Sequence, residues 1–260
     1  IYDRSISAAE IESLNNKYET EIRAGTGQGG LIGHWKLDGN AKDATPNANN
    51  GTVTGATLTT DRKGSSNRAY LFNGSSNYID MGNPSALNPS TAVSVSAWVK
   101  GTVVSTTTLR GIACKDADCT FSFPVYCLYV TDGRFRFAIT NSSNSETLVA
   151  SPLADGIQDN TWYHVVGTYD GTNMRIYVNG VLRNTQPLTG NIGVSTGTFR
   201  VGRQAQTSEA RYFSGTIDDV KLYNRALTAT EITKQFESYD SQVSLSDLQK
   251  GLVGDWPMNG

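Results

Sequence analysis

Residues 1–39 align with residues 222–260 without a gap, at a constant offset of 221, and twelve of the 39 positions are identical. Ile1-Tyr2-Asp3-Arg4 meets Leu222-Tyr223-Asn224-Arg225, and Gly30-Leu31-Ile32-Gly33-His34-Trp35 meets Gly251-Leu252-Val253-Gly254-Asp255-Trp256. Many other pairs exchange Ile for Leu or Val, Ser for Thr, or Asp for Asn. Register kept over such a span marks an internal repeat. Its period is far longer than the roughly 20–50 residues of a solenoid unit, so the repeated object is a whole domain. Residues 1–23 are then expected to be the tail of a preceding copy and 24–30 (Ala-Gly-Thr-Gly-Gln-Gly-Gly) a flexible linker. Residues 31–240 form one complete domain, and 241–260 a linker and the first strand of the next copy. The parent protein is expected to carry at least two adjacent copies.

Within the unit, apolar and polar residues alternate in short bursts between turn signals, as in half-buried strands. Residues 94–99, 126–130, 134–139, 163–169 and 175–178 follow this pattern. Asp132-Gly133, Asp170-Gly171-Thr172-Asn173 and Asn179-Gly180 punctuate them. Asp-Gly and Asn-Gly favour tight hairpins because both residues tolerate positive φ. The composition, with 26 Gly against 7 Pro and 18% charged residues, suits many short strands and turns better than helices. These features predict an all-β fold with two antiparallel sheets packed as a sandwich. Two segments look helical, and they are copies of each other. Ser7-Ala8-Ala9-Glu10 and Thr228-Ala229-Thr230-Glu231 both fit a capping box. Apolar residues then recur at helical spacing, at Ile11, Leu14 and Tyr18 and at Ile232, Phe236 and Tyr239. Packing is their expected role.

Six segments, taken in order, resemble the laminin-G-like, concanavalin-A-like jelly-roll domains of bacterial secreted and surface proteins. Gly33-His34-Trp35-Lys36-Leu37-Asp38 resembles the family's opening strand, and Tyr70-Leu71-Phe72-Asn73-Gly74 with Asn77-Tyr78-Ile79 its second signature. Residues 94–99, 162–171 and 175–180 are similar to its central strands, and 213–227 to its closing strand. The resemblance implies a jelly roll over nearly all of 31–232. It implies an extracellular or cell-surface setting, with glycans or surface proteins as partners besides neighbouring repeats. The stretch 110–127, which carries the cysteines, departs from the family pattern.

Candidate chemistry is sparse. Asp38, Asn40, Asp43, Asn47, Asn49 and Asn50 gather oxygen donors after the first strand, and calcium takes six to eight such ligands. The resemblance implies that a closing-strand acid, Asp218 or Asp219, approaches this loop and shares a structural Ca2+. Alternation assigns Asp218 to the face of Val220 and Leu222, where a buried acid needs a cation or several hydrogen bonds. Asp43, Asn50 and Asp218, followed by Asp38 and Asn47, are therefore the expected calcium ligands. The same residues can instead support turns and accept backbone N–H groups. Cys114 and Cys119 flank a turn-like tetrapeptide and are the expected disulfide, with other pairings of the three cysteines open. Zinc lacks a fourth ligand nearby.

Glycan stacking would need exposed aromatics. Phe121, Phe123, Tyr126, Tyr212 and Phe213 are candidates, but filling the space between the sheets is the favoured role of each, and Trp35, Trp98 and Trp162 are expected in the core. No Glu-x-Asp-x-x-Glu run, nucleophile elbow, P-loop or dinucleotide fingerprint occurs, so an enzyme is not expected. A net charge of −2 gives no footprint for nucleic acid, and no apolar run reaches the length of a membrane span. Two readings follow: a glycan- or protein-binding adhesion module, or a structural spacer with no ligand of its own.

Overall fold

Turn chemistry sets where the strands begin and end. The computed structural model describes residues 29–104, 108–116, 123–205 and 210–237. Asp132 and Gly133 both take positive φ (52° and 66°), as do Asn179 and Gly180 (51° and 79°). Both pairs make the tight turns whose twist matches that of paired strands. In chain order the strands are β1 (Leu31–Trp35), β2 (Thr52–Thr54), β3 (Thr57–Thr59), β4 (Ala69–Asn73), β5 (Tyr78–Asp80) and β6 (Val93–Gly101). There follow β7 (Arg110–Lys115), β8 (Tyr126–Thr131), β9 (Arg134–Thr140), β10 (Glu146–Ala150), β11 (Tyr163–Tyr169) and β12 (Asn173–Val178). The last are β13 (Val181–Pro187), β14 (Phe199–Val201), β15 (Arg203–Ala205), β16 (Ala210–Tyr212) and β17 (Ser214–Tyr223).

They form the expected jelly-roll sandwich. One sheet runs β13-β12-β11-β6-β17-β4-β3, with β1 also paired to β17. The other runs β10-β9-β8-β7-β14-β5-β2, with β15 and β16 attached beside β7. Pairing is antiparallel apart from a single bridge between β16 and β7. Val95, Ala97, Val99, Val165, Ile176 and Ile217 of the first sheet meet Ile112, Leu128, Phe135, Phe137, Phe199 and Val201 of the second in one core. Contact between the layers is close at Gly167, where an added Cβ would lie 2.3 Å from the Phe137 ring. Trp35 is fully buried and donates its indole N–H to the Asn49 carbonyl at 2.8 Å.

The closing strand is not regular. Asp218 pairs with Trp98 and Lys221 with Ser96, so two residues of β17 oppose Ala97 alone, and Asp219 takes φ 49°. This is a β-bulge. It changes the parity of the strand, so Ile217 and Val220 both join the core while Asp218 and Asp219 both turn outward. The alternation that assigned Asp218 to the face of Val220 is corrected by this one extra residue.

A helix, α1, covers 229–237 and lies on the outer face of the first sheet. Its capping box forms as predicted: Thr228 N donates to Glu231 Oε2 at 2.8 Å, and Glu231 N donates to Thr228 Oγ1 at 3.3 Å. Arg225 grips the same carboxylate with two bonds, of 2.9 and 2.6 Å. Ile232 packs with Val166, Tyr177, Tyr223 and Leu227, and Phe236 stacks on Trp98 at 5.8 Å. The expected earlier helix, the 24–30 linker apart from its last two residues, and the 241–260 segment lie outside the described residues.

The disulfide differs from the expected Cys114–Cys119 pair. Cys114 bonds Cys127, which is its direct cross-strand partner between β7 and β8. Strand pairing holds their Cα atoms 4.0 Å apart, whereas Cys119 follows the end of β7 and lies outside the described residues. Gly167→Ala is expected to lower stability by about 1–3 kcal/mol through overpacking against Phe137. Denaturant unfolding measures it, and an unchanged midpoint would mean that the layers have slack here.

Candidate functional site

The expected calcium ligands do not converge. Asp43 is held inside the first loop by four donors. Its Oδ1 accepts from His34 N and Thr45 N, both at 2.9 Å, and its Oδ2 accepts from Thr45 Oγ1 at 2.9 Å and Asn49 N at 3.0 Å. Asn50 Oδ1 accepts from Asp43 N at 3.0 Å, and Asn47 donates its amide to the Ile32 carbonyl at 2.9 Å. Asp38 stands apart, 3.4 Å from Arg68. Hydrogens already point at both Asp43 oxygens, which is the wrong polarity for a cation. Among the described residues no group of three or more His, Cys, Asp or Glu is placed to hold a metal ion. The donor set is satisfied as a hydrogen-bonded loop, with Asp43 and Asn50 spent on partners within it.

Asp218 belongs to a second cluster, on the outer face of the first sheet. Arg62 bonds its carboxylate and lies 4.7 Å over the Trp98 ring. Asp219 receives His34 Nε2 and Lys221 Nζ, both at 2.7 Å, and Arg62 stands 3.6 Å away. Burial pushes Asp218 up to about 7 against the pull of Arg62. Asp219 is held well below the usual carboxylate range: burial opposes this, but Lys221, His34 and Arg62 outweigh it. His164 is buried beside them, bonded to Ser96 Oγ at 2.9 Å, with no partner for Nδ1 among the described residues. Burial, with Lys221 and Arg62 nearby, lowers its pKa to about 3 against the opposing effect of Asp219. These groups cement β17 to β1, β6 and the Arg62 loop.

A different place is open to a ligand. A groove of ≈ 520 Å³ lies where β4, β6 and β17 meet the segment before β11. Gly101 and Gly215 pair directly and make a floor without side chains. Glycine is required at both, since an added Cβ would lie 2.2 Å from a backbone oxygen of the opposite strand. Thr57, Asn73, Asn77, Thr102, Asn160 and Ser214 supply the polar lining, and Leu71, 44% exposed, the apolar part. None of the lining residues is ionisable. Asn73 stiffens one wall by accepting from Ser75, Ser76 and Asn77 N–H groups. The side chains of Thr57, Thr102, Asn160 and Ser214 make no hydrogen bond with described residues. Beyond the floor, Thr57, Leu71, Thr216 and Lys100 form one lateral row, and Lys100 stands 5.4 Å over Trp162.

The aromatics divide, some filling the core as expected and others not. Tyr126 and Phe213 are fully buried, Phe123 and Tyr212 reach the surface, and Phe121 lies outside the described residues. Of the tryptophans, Trp35 is in the core, Trp98 is buried on the outer face beneath Phe236, and Trp162 is half-buried. Trp162 precedes β11 and so escapes the space between the sheets.

A family model described as the concanavalin A-like lectin/glucanases superfamily matches residues 73–233. The chain belongs to this superfamily. Its fold is similar to the binding domain of Paraclostridial Mosquitocidal Protein 1, with TM-score 0.67 and 16% identity over 81% of this chain and 52% of that one. It is similar to domain 4 of AbnA, a GH43 extracellular arabinanase from Geobacillus stearothermophilus solved with arabinotriose, with TM-score 0.58 and 23% identity. That match covers 78% of this chain and 97% of the other. A third likeness is to the ligand-binding domain of botulinum neurotoxin serotype D in complex with N-acetylneuraminic acid, with TM-score 0.61 and 15% identity over 80% and 51%. The chain thus spans about half the length of the two toxin domains. No curated protein matches it significantly.

For this superfamily member, two outcomes follow from the buried polar groups. Calcium and a chelator should give the same melting temperature, while Asp43→Ala should cost about 1–3 kcal/mol in both, from N–H groups left without an acceptor. A calcium-dependent shift that vanishes in Asp43→Ala would restore the metal site. His164 titrates at a different pH in the two states: its folded pKa lies below the unfolded 6.5, so it stabilises above pH 6.5 and that contribution is lost as pH falls toward 3. Asp218 acts with the opposite sign between about pH 4 and 7, so the difference between wild type and His164→Gln isolates the histidine. That difference should shrink by on the order of 3 kcal/mol between pH 7 and 4; a constant difference would mean that His164 is protonated in the fold.

Proposed function

We propose that the domain is a non-catalytic carbohydrate-binding module. The groove carries this reading. Its open amides and hydroxyls can donate to and accept from sugar hydroxyls, and Leu71 offers apolar surface for the C–H face of a sugar ring. A lining without ionisable groups supplies neither the acid nor the base that glycoside hydrolysis requires. A volume of ≈ 520 Å³ lies within the range of small-molecule sites. The likeness to an arabinanase domain solved with arabinotriose supports the same direction at the level of fold. The setting we propose is extracellular, with tandem copies adding avidity.

A second reading has its own observation. The register kept between residues 1–39 and 222–260 suits a spacer built from whole-domain repeats. Screening the full chain on a glycan array separates the two. Binding that weakens about tenfold or more in Asn160→Ala and in Leu71→Ala, with unchanged melting temperature, is the expected result. Absence of binding to any glycan would favour the spacer.

A further inference from the structure

One cation near the groove makes no hydrogen bond to an acceptor among the described residues. Arg203 of β15 lies directly opposite Tyr212 of β16. Its guanidinium stands 5.3 Å over the Tyr212 ring and 5.0 Å over the Tyr78 ring, and the two rings are 6.5 Å apart. The clamp holds the fork in place, yet the buried Nε of Arg203 has no hydrogen-bond partner among the described residues. Its neighbour Arg200 contrasts with it, giving Nε to Asp80 at 2.9 Å and Nη1 to Asp116. The hydroxyls of Tyr78 and Tyr212 are likewise not hydrogen-bonded to described residues. Among the described residues the Arg203 guanidinium and both tyrosine hydroxyls are therefore without hydrogen-bond partners, and the guanidinium's terminal Nη edge, unlike its buried Nε, is the part left to meet a ligand.

The clamp adjoins the groove. Tyr78 follows Asn77, and Tyr212 precedes Ser214 by two residues. Arg110 links them: its Nη1 donates to the Tyr212 carbonyl at 3.2 Å and lies 3.1 Å from where a Cβ of Gly74 would stand, close to Ser214. A guanidinium fork pairs best with a planar or tetrahedral oxyanion, in two parallel bonds. We propose that Arg203, held against the rings of Tyr78 and Tyr212, selects an acidic saccharide, its carboxylate or sulfate ester taken by the Arg203 fork while an adjoining sugar occupies the groove. This rests on the carbohydrate-binding reading and names the class of sugar.

The test is calorimetric titration of the full chain with three probes of equal length: a galacturonate oligosaccharide, a sulfated galactan and an uncharged galactan. At least one acidic probe should bind about tenfold more tightly than the neutral one, and the preference should fall in high salt. A carboxylate or a sulfate preference would each support the assignment and identify the anion. Arg203→Ala should abolish the preference and leave neutral binding unchanged, while Arg203→Lys should restore it only in part. Tyr212→Phe, which keeps the ring and removes the hydroxyl, provides a milder variant that should weaken acidic binding alone. Equal affinity for acidic and neutral probes, or a preference that survives Arg203→Ala, overturns the inference and leaves the carbohydrate reading standing. Failure of all three probes to bind, together with a blank glycan array, overturns both.

Discussion

Strand β17 holds the domain closed. It pairs with β6 along one side, and with β4 and then β1 along the other. The last strand therefore fixes the first, and loop entropy is paid back only when distant segments meet. Its bulge is part of that design. With one extra residue, Ile217, Val220 and Leu222 all reach the core, and two consecutive aspartates are delivered to the opposite face.

Carboxylates in such a place need compensation, because desolvating them costs several kcal/mol each. Arg62, His34 and Lys221 supply it from three different segments. Asp43 reaches the same end through hydrogen bonds alone, with its four donors drawn from β1 and its own loop. Two solutions to one problem thus sit at either side of His34, whose backbone serves Asp43 and whose ring serves Asp219.

The groove arises from the same constraint of close strands. Where β6 meets the start of β17, backbones approach so tightly that only glycine fits, and the pair Gly101 and Gly215 leaves a bare floor. Side chains from neighbouring segments surround it without filling it. Rigid strand ends position these groups, as binding sites on a scaffold require. The clamp of Tyr78, Arg203 and Tyr212 extends the site from the other sheet.

Much of the fold was legible in the sequence. Alternation, the Asp132-Gly133 and Asn179-Gly180 turns and the Thr228–Glu231 capping box each act locally, so their outcome follows from neighbours in the chain. The site was far less legible. Asn160, Thr102, Ser214 and Thr57 come from four separated segments, and the one available signal was the pair of glycines inside strands. Local reasoning likewise paired Cys114 with the near Cys119, whereas strand register chose Cys127. It placed Asp218 in the core, whereas the bulge turned it out. Sequence by itself determined which segments are strands and where they turn, because those choices depend on φ preference and on side chains two residues apart. Which side chains meet was decided only by tertiary structure, because register, bulges and layer packing depend on contacts between residues a hundred or more positions apart.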